Sequence, residues 1–157
     1  MNLLAISLAY PPLAYPRSVQ VARLLKHADA STVLFCADEP GTRHDDTIEP
    51  NAEAKLVACL RVPVRKNRIS ALTDRISHKI ARSYWNRRNL VPHAYSFWRK
   101  DVLEKVHDYI NGNAFRPDAL VTFAQPFSDH LIGLSLKKKF GLPWLAHFSD
   151  PWTDNPF

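Results

Sequence analysis

The sequence predicts an α/β fold, an open and mostly parallel sheet with helices on both faces. Two observations carry that reading. Five apolar segments of strand length recur along the 157 residues, and segments with helical spacing of apolar residues separate them. That alternation implies parallel βαβ units. The composition, 46% hydrophobic and 23% charged, is that of a globular chain long enough for a real core.

The elements follow in order. "NLLAISLA" is a continuous apolar run, as expected of a strand buried on both faces. Three prolines in "YPPLAYP" forbid regular structure after it. "RSVQVARLLKHA" carries Val21, Leu24 and Leu25 at helical spacing, with Ser18 as the expected N-cap. "STVLFCA" and "KLVACLRVP" are the second and third strands, separated by a polar, acidic stretch, and Pro63 ends the third. "RISALTDRISHKIARSYW" sets Ile69, Leu72, Ile76, Ile80 and Tyr84 on one helical face. A further helix is marked by Tyr95, Trp98, Val102, Val106 and Tyr109 and stops near Gly112. "RPDALVTFA" is the fourth strand. "SDHLIGLSLKKKFG" is a helix with Ser128 as its expected cap and Gly141 as its stop, and "LPWLAHFS" is the fifth strand. Right-handed crossovers give a Rossmann-like sheet, most simply in the order 3-2-1-4-5. The order reverses between strands one and four, so the loops at 9–18, 124–129 and 149–154 meet where such sheets bind ligands. Residues 1–157 read as one domain with a variable, basic helical segment at about 61–112.

Charge and motif content narrow the chemistry. The net charge of +6 is uneven: residues 61–100 hold eleven Lys and Arg against a single acid, Asp74, or +10, which leaves −4 for the rest. This segment suits an anionic membrane surface as well as it suits a plain solvated face. Nucleic acid is disfavoured, because the aromatics Tyr84, Trp85 and Trp98 fall on apolar helix faces. No apolar run reaches the length of a membrane span, and no Lys or Arg precedes the first apolar run as in a secretory leader. The stretch after strand one has no glycine, against a dinucleotide fingerprint. P-loop, nucleophile-elbow and metal-ligand spacings are missing too, so no cofactor or metal is expected. Cys36 and Cys59 each sit in an apolar run and read as reduced core thiols, which suits the cytoplasm.

The remaining candidates lie on loops. Arg17 and Ser18 open a helix, where the backbone N–H groups and the dipole favour an anion. The bland alternative is a solvated Arg17 beside a capping Ser18. Gln125, Ser128, Asp129 and His130 leave strand four, where capping is the competing role. Ser149 and Asp150 leave strand five. Asp150 either begins a turn before Pro151 or orients a substrate hydroxyl. His147 lies within the strand and reads as packed. The lysines at 137–139 read as a solvated helix end.

"MNLLAISLAYPPLAYPRSVQVARLL" and "RPDALVTFAQPFSDHLIGLSLKKKFGLPWLAHFSDPW" resemble the N-terminal, acceptor-side half of a family-4 retaining glycosyltransferase with the GT-B fold. The shared pattern runs from Tyr-Pro-Pro and Arg-Ser through Pro-Asp and Pro-x-Ser-x-His to Gly-x-Pro-Trp and Asp-Pro-Trp, and covers roughly 1–37 and 116–157. The resemblance implies that a second, absent domain binds the nucleotide-sugar donor and carries the family's paired glutamates. It implies that Arg17 and Ser18 face the donor pyrophosphate. Gln125, Ser128 and His130 are implied to lie near a glycan or lipid-linked acceptor. Ser149 and the catalytic candidate Asp150 are implied to lie near the reacting hydroxyl. It further implies transfer without an obligatory metal, at the cytoplasmic face of a membrane. A stand-alone α/β module for an anionic partner, membrane or nucleic acid, is the alternative.

Overall fold

The computed structural model describes residues 1–38, 44–45, 56–64, 96–112, 114–124 and 126–149. Its framework is a five-stranded, all-parallel sheet of β1 (Asn2–Ser7), β2 (Ser31–Asp38), β3 (Leu56–Pro63), β4 (Ala119–Phe123) and β5 (Trp144–His147). The order is β3-β2-β1-β4-β5, as the sequence predicts. Three described helices flank it: α1 (Pro16–His27), α2 (Ser96–Gly112) and α3 (Ser128–Phe140).

The strand sequences match their places. β1, β2 and β4 are central and almost continuously buried, which is why they are apolar at successive residues. β3 and β5 are the edge strands, each with one side unpaired among the described residues. β3 alternates: Ala58, Leu60 and Val62 turn inward, while Val57, Cys59 and Arg61 are exposed. A shift of register between Thr32 and Val33 sets the β2–β3 pairing, so Cys36 lies opposite Arg61 and Cys59 opposite Leu34.

Each face has its own core. On one face Val21, Ala22 and Leu25 of α1 pack on Ala5, Leu34, Val121 and Phe123. On the other, Trp98, Val102, Val106 and Ile110 of α2, with Ile132 and Leu136 of α3, pack on Leu4, Ile6, Val33 and Phe35. The helical face read from Trp98, Val102 and Val106 is fully buried. The Trp98 indole donates to the Val62 carbonyl at 3.1 Å, so its polar atom does not burden the core. Tyr109 meets Phe35 edge-on at 5.9 Å.

Two predicted caps are corrected. Tyr15, not Ser18, is the N-cap of α1, because Pro16 is ready-made for the first helical position and starts the helix three residues earlier. Phe127, not Ser128, precedes α3, and neither helix has a side-chain cap. Gly141 does end α3, in the left-handed conformation at φ 68°. The expected helix between Arg68 and Trp85, and Tyr95, lie outside the described residues.

Asp118 joins the sheet's two halves. Its carboxylate accepts the Asn2 N–H at 2.7 Å, and its own N–H donates to the Asn2 carbonyl at 2.8 Å, which aligns β4 with β1. Gly133 brings α3 onto β4 and β5. A Cβ there would come within 2.6 Å of the Trp144 indole nitrogen and 2.7 Å of the Thr122 methyl. No described helix covers β4 and β5 on the α1 side. An open apolar groove of about 480 Å³ runs there, lined among others by Leu3, Leu24, Val121 and Leu145.

Candidate functional site

The crevice lies at the carboxyl ends of β1, β4 and β5, where the strand order reverses. The amino ends of α1 and α3 both face it, and α1 has no acidic residue in its first turn. Two positive dipole ends therefore converge on one place.

Arg17 is the charge at its centre, and only 9% of the residue is exposed. The solvated alternative for this arginine is thereby overturned. One Nη donates to Gln20 at 3.0 Å; the other lies 2.9 Å from His147 Nδ1 and 3.4 Å from the His147 carbonyl. The guanidinium sits 5.9 Å from the centre of the Phe123 ring. Arginine can only donate, so His147 Nδ1 must accept, and the imidazole is neutral with its proton on Nε2. Burial lowers the His147 pKa, and the Arg17 charge lowers it further. His147 thus holds Arg17 as well as packing against the Phe123 ring at 5.5 Å. Its signal in the sequence was its place as the last residue of a strand that feeds the crevice.

His130 stands on the other side of the sheet's edge, also 9% exposed. Trp144 Nε1 donates to Thr122 Oγ1 at 2.9 Å, and Thr122 Oγ1 lies 2.7 Å from His130 Nδ1. The indole has no acceptor, so the hydroxyl proton goes to Nδ1 and His130 carries its own proton on Nε2. The other tautomer would leave the threonine proton with no acceptor among the described residues. Burial first, then Arg17 and His147, lower the His130 pKa to about 4, so the ring stays neutral at physiological pH. Phe148 lies against it at 4.4 Å.

Asp129 is fully buried, and its Oδ2 accepts the Leu8 N–H at 2.7 Å, just past the end of β1. Burial pushes its carboxyl up to about 8; the Leu8 N–H, Ser128 and the Arg17 charge pull the other way. Ser128 acts there as a nearby dipole, since its Oγ does not reach hydrogen-bond geometry. Asp129 does more than complement a helix dipole: it ties α3 to the loop after β1. Tyr10, on that loop, is 1% exposed, and burial raises its hydroxyl to about 12.

Five buried side-chain atoms in this region have no hydrogen-bond partner among the described residues: Tyr10 Oη, Ser18 Oγ, Ser128 Oγ, Asp129 Oδ1 and His130 Nε2. Such atoms are costly unless something completes them. With Arg17 charged, both histidines neutral and Asp129 largely protonated near neutral pH, the crevice is net positive and rich in donors among the described residues. It fits an anionic group beside hydroxyls.

The structure thus brings together Arg17, Ser18, Ser128 and His130 from the sequence-predicted set. Ser149 is exposed, two residues past β5. Gln125 and Asp150 lie outside the described residues. His147, Thr122 and Tyr10 are additions that pattern reading did not mark as site residues. Among the described residues no cluster of three or more His, Cys, Asp or Glu could hold a metal, and no helix is long and apolar enough to cross a membrane.

No protein-family model matches the chain, and no curated protein matches it. Among solved structures, two crystal structures of the C-terminal domain of a hydrogenase from Pyrococcus furiosus resemble it. Both have a TM-score of 0.52 at 14% identity; they cover 93% and 92% of this chain, and 90% and 89% of the hydrogenase domain. At that identity the likeness is one of fold, and it places the chain among Rossmann-like α/β structures.

Proposed function

We propose that this chain is the acceptor-binding half of a glycosyltransferase, which moves a sugar from a nucleotide-sugar to a hydroxyl of a glycan or lipid-linked acceptor. The observation that carries the reading is the buried Arg17, held by His147 at the switch point of the sheet and flanked by polar atoms with no partner among the described residues. A sugar linked to phosphate matches that pairing of one fixed cation with several polar atoms. In this reading Arg17 and Ser18, at the α1 amino end, take the phosphate, and Ser128 and His130 take sugar hydroxyls. Gln125 and Ser149 contribute from the loops at the mouth. Asp150 accepts a hydrogen bond from the reacting hydroxyl and orients it, and the nucleotide-sugar is held by a separate donor-binding domain.

Calorimetric titration with a short-chain prenyl-diphosphate-linked sugar tests this. Binding is expected, weaker for the same prenyl diphosphate without sugar. Arg17→Gln is expected to weaken it by about 10-fold or more, the scale of one charge-assisted hydrogen bond. Arg17→Lys keeps the charge and should recover part of the loss. No binding, or binding unchanged in Arg17→Gln, overturns the reading. Inorganic pyrophosphate bound as tightly as the sugar conjugate would favour the simpler module for anionic partners.

The basic segment is proposed to bring the same chain to an anionic membrane surface on the cytoplasmic side. Most of that segment, 65–95, lies outside the described residues. At its ends Arg99 donates to Ser135 at 2.8 Å and Arg61 to the Pro11 carbonyl at 2.6 Å, so these two serve the fold. Flotation with vesicles of anionic and neutral lipid checks it. Salt-sensitive binding to the anionic vesicles alone is expected.

A further inference from the structure

Cys36 and Cys59 are 23 residues apart in sequence and were expected as separate core thiols. The β2–β3 register corrects that: it puts both on one face of the sheet, with their sulfurs 3.6 Å apart. Cys36 is fully buried, whereas Cys59 is exposed on the edge strand. Arg61, two residues along β3 and opposite Cys36, stands on the same face. We propose that Cys36 and Cys59 form a redox-active dithiol, in which Cys59 is oxidised by a hydroperoxide and Cys36 resolves the product to a disulfide.

The roles follow from position. An attacking sulfur must be open to solvent and ionised. The two sulfurs share a hydrogen bond, and with the buried Cys36 as its donor the Cys59 thiol is held below the ordinary cysteine value. The Arg61 charge helps, and partial burial opposes. Cys36 moves the opposite way, raised by that same hydrogen bond and by burial, so it keeps the proton. The thiolate is therefore on the exposed sulfur and the thiol on the buried one.

In the first step the Cys59 thiolate attacks one oxygen of the hydroperoxide. The S–O bond forms, the O–O bond breaks, and the departing oxygen takes a proton to leave as water or an alcohol. Cys59 becomes a sulfenic acid. Cys36 then loses its proton and attacks the Cys59 sulfur. The S–S bond forms, the S–O bond breaks, and hydroxide leaves with that proton as water. Two thiols are oxidised by two electrons, and the hydroperoxide is reduced by two. The sulfurs must approach by about 1.5 Å to reach bonding distance. The two residues are offset by one two-residue step in the ladder, so closure needs a small slide of β3. Among the described residues that strand is paired on one side only, which leaves it the less constrained partner.

The test uses the reduced chain and excess hydrogen peroxide, followed by peptide mapping without reductant. A Cys36–Cys59 linked peptide is expected in monomeric protein, with both free thiols lost together and both restored by dithiothreitol. Iodoacetamide should label Cys59 well ahead of Cys36, with a pH midpoint below that of free cysteine. Cys36→Ser should stop at a sulfenic acid trapped by dimedone, and Cys36→Ala provides the same test if serine disturbs the core. Cys59→Ser should leave Cys36 unoxidised over the same time. Both thiols still free, oxidation of Cys59 beyond the sulfenic acid with no cross-link in the native chain, or disulfides only between chains would each overturn the proposal.

Discussion

At the scale of single residues, the crevice depends on side chains held in unusual protonation states by burial. Asp129 is the clearest. Its folded pKa is raised from 3.8 to about 8, so the folded chain binds the proton more tightly than the unfolded one. The stability it contributes is complete below 3.8 and declines as pH rises to about 8. Asp129→Asn keeps an oxygen for the Leu8 N–H and removes the ionisation. Denaturant titrations across that window should show the native chain losing stability relative to Asp129→Asn as pH rises. A constant gap would mean that the carboxyl is not buried as described. His130 works in the other direction: its folded pKa is lowered from 6.5 to about 4, so its contribution is lost as pH falls between those values. Some of these residues were legible in the sequence. Arg17, Ser128 and His130 stand on loops that follow strands, where α/β sheets place their chemistry. His147 was not, because one histidine in a four-residue edge strand has no periodicity that tells which side it faces. The Cys36–Cys59 contact was not legible either, since it depends on the β2–β3 register, which a local irregularity sets.

At the scale of elements, close approach of α3 to the sheet positions His130. Gly133 allows it, and Thr122 and Trp144, which a Cβ at that position would strike, are the residues that fix the His130 tautomer. Gly133→Ala should therefore destabilise the chain by about 1–3 kcal/mol, the usual cost of overpacking. Nothing lies within 4 Å of a Cβ at Gly112, so Gly112→Ala should stay within about 1 kcal/mol, the scale of helix propensity. Urea midpoints of the two variants provide the comparison, and equal effects would contradict the packing described here. The strands were legible because their burial on both faces forces continuous apolar runs. The starts of α1 and α3 were not, because serine reads as a cap whether or not it caps. Here Pro16 moved one start, and a turn through Phe127 set the other.

At the scale of the whole molecule, the sheet order could be read from the alternation of strands and helices, and with it the place of the crevice. What the crevice binds is a further step. It rests on the converging helix ends, the buried Arg17 and the unpartnered polar atoms around them, together with the sequence resemblance. The open groove over β4 and β5 is apolar, and phosphate-linked sugars have no reason to favour it except through a lipid tail. The most direct test of the account is hydrogen–deuterium exchange of the chain with and without a prenyl-diphosphate-linked sugar. Protection is expected to concentrate at 8–18, 124–130 and 147–150, and to be lost in Arg17→Gln. Protection confined to the groove or to 61–100, with the loops at the carboxyl ends of β1, β4 and β5 unchanged, would contradict it.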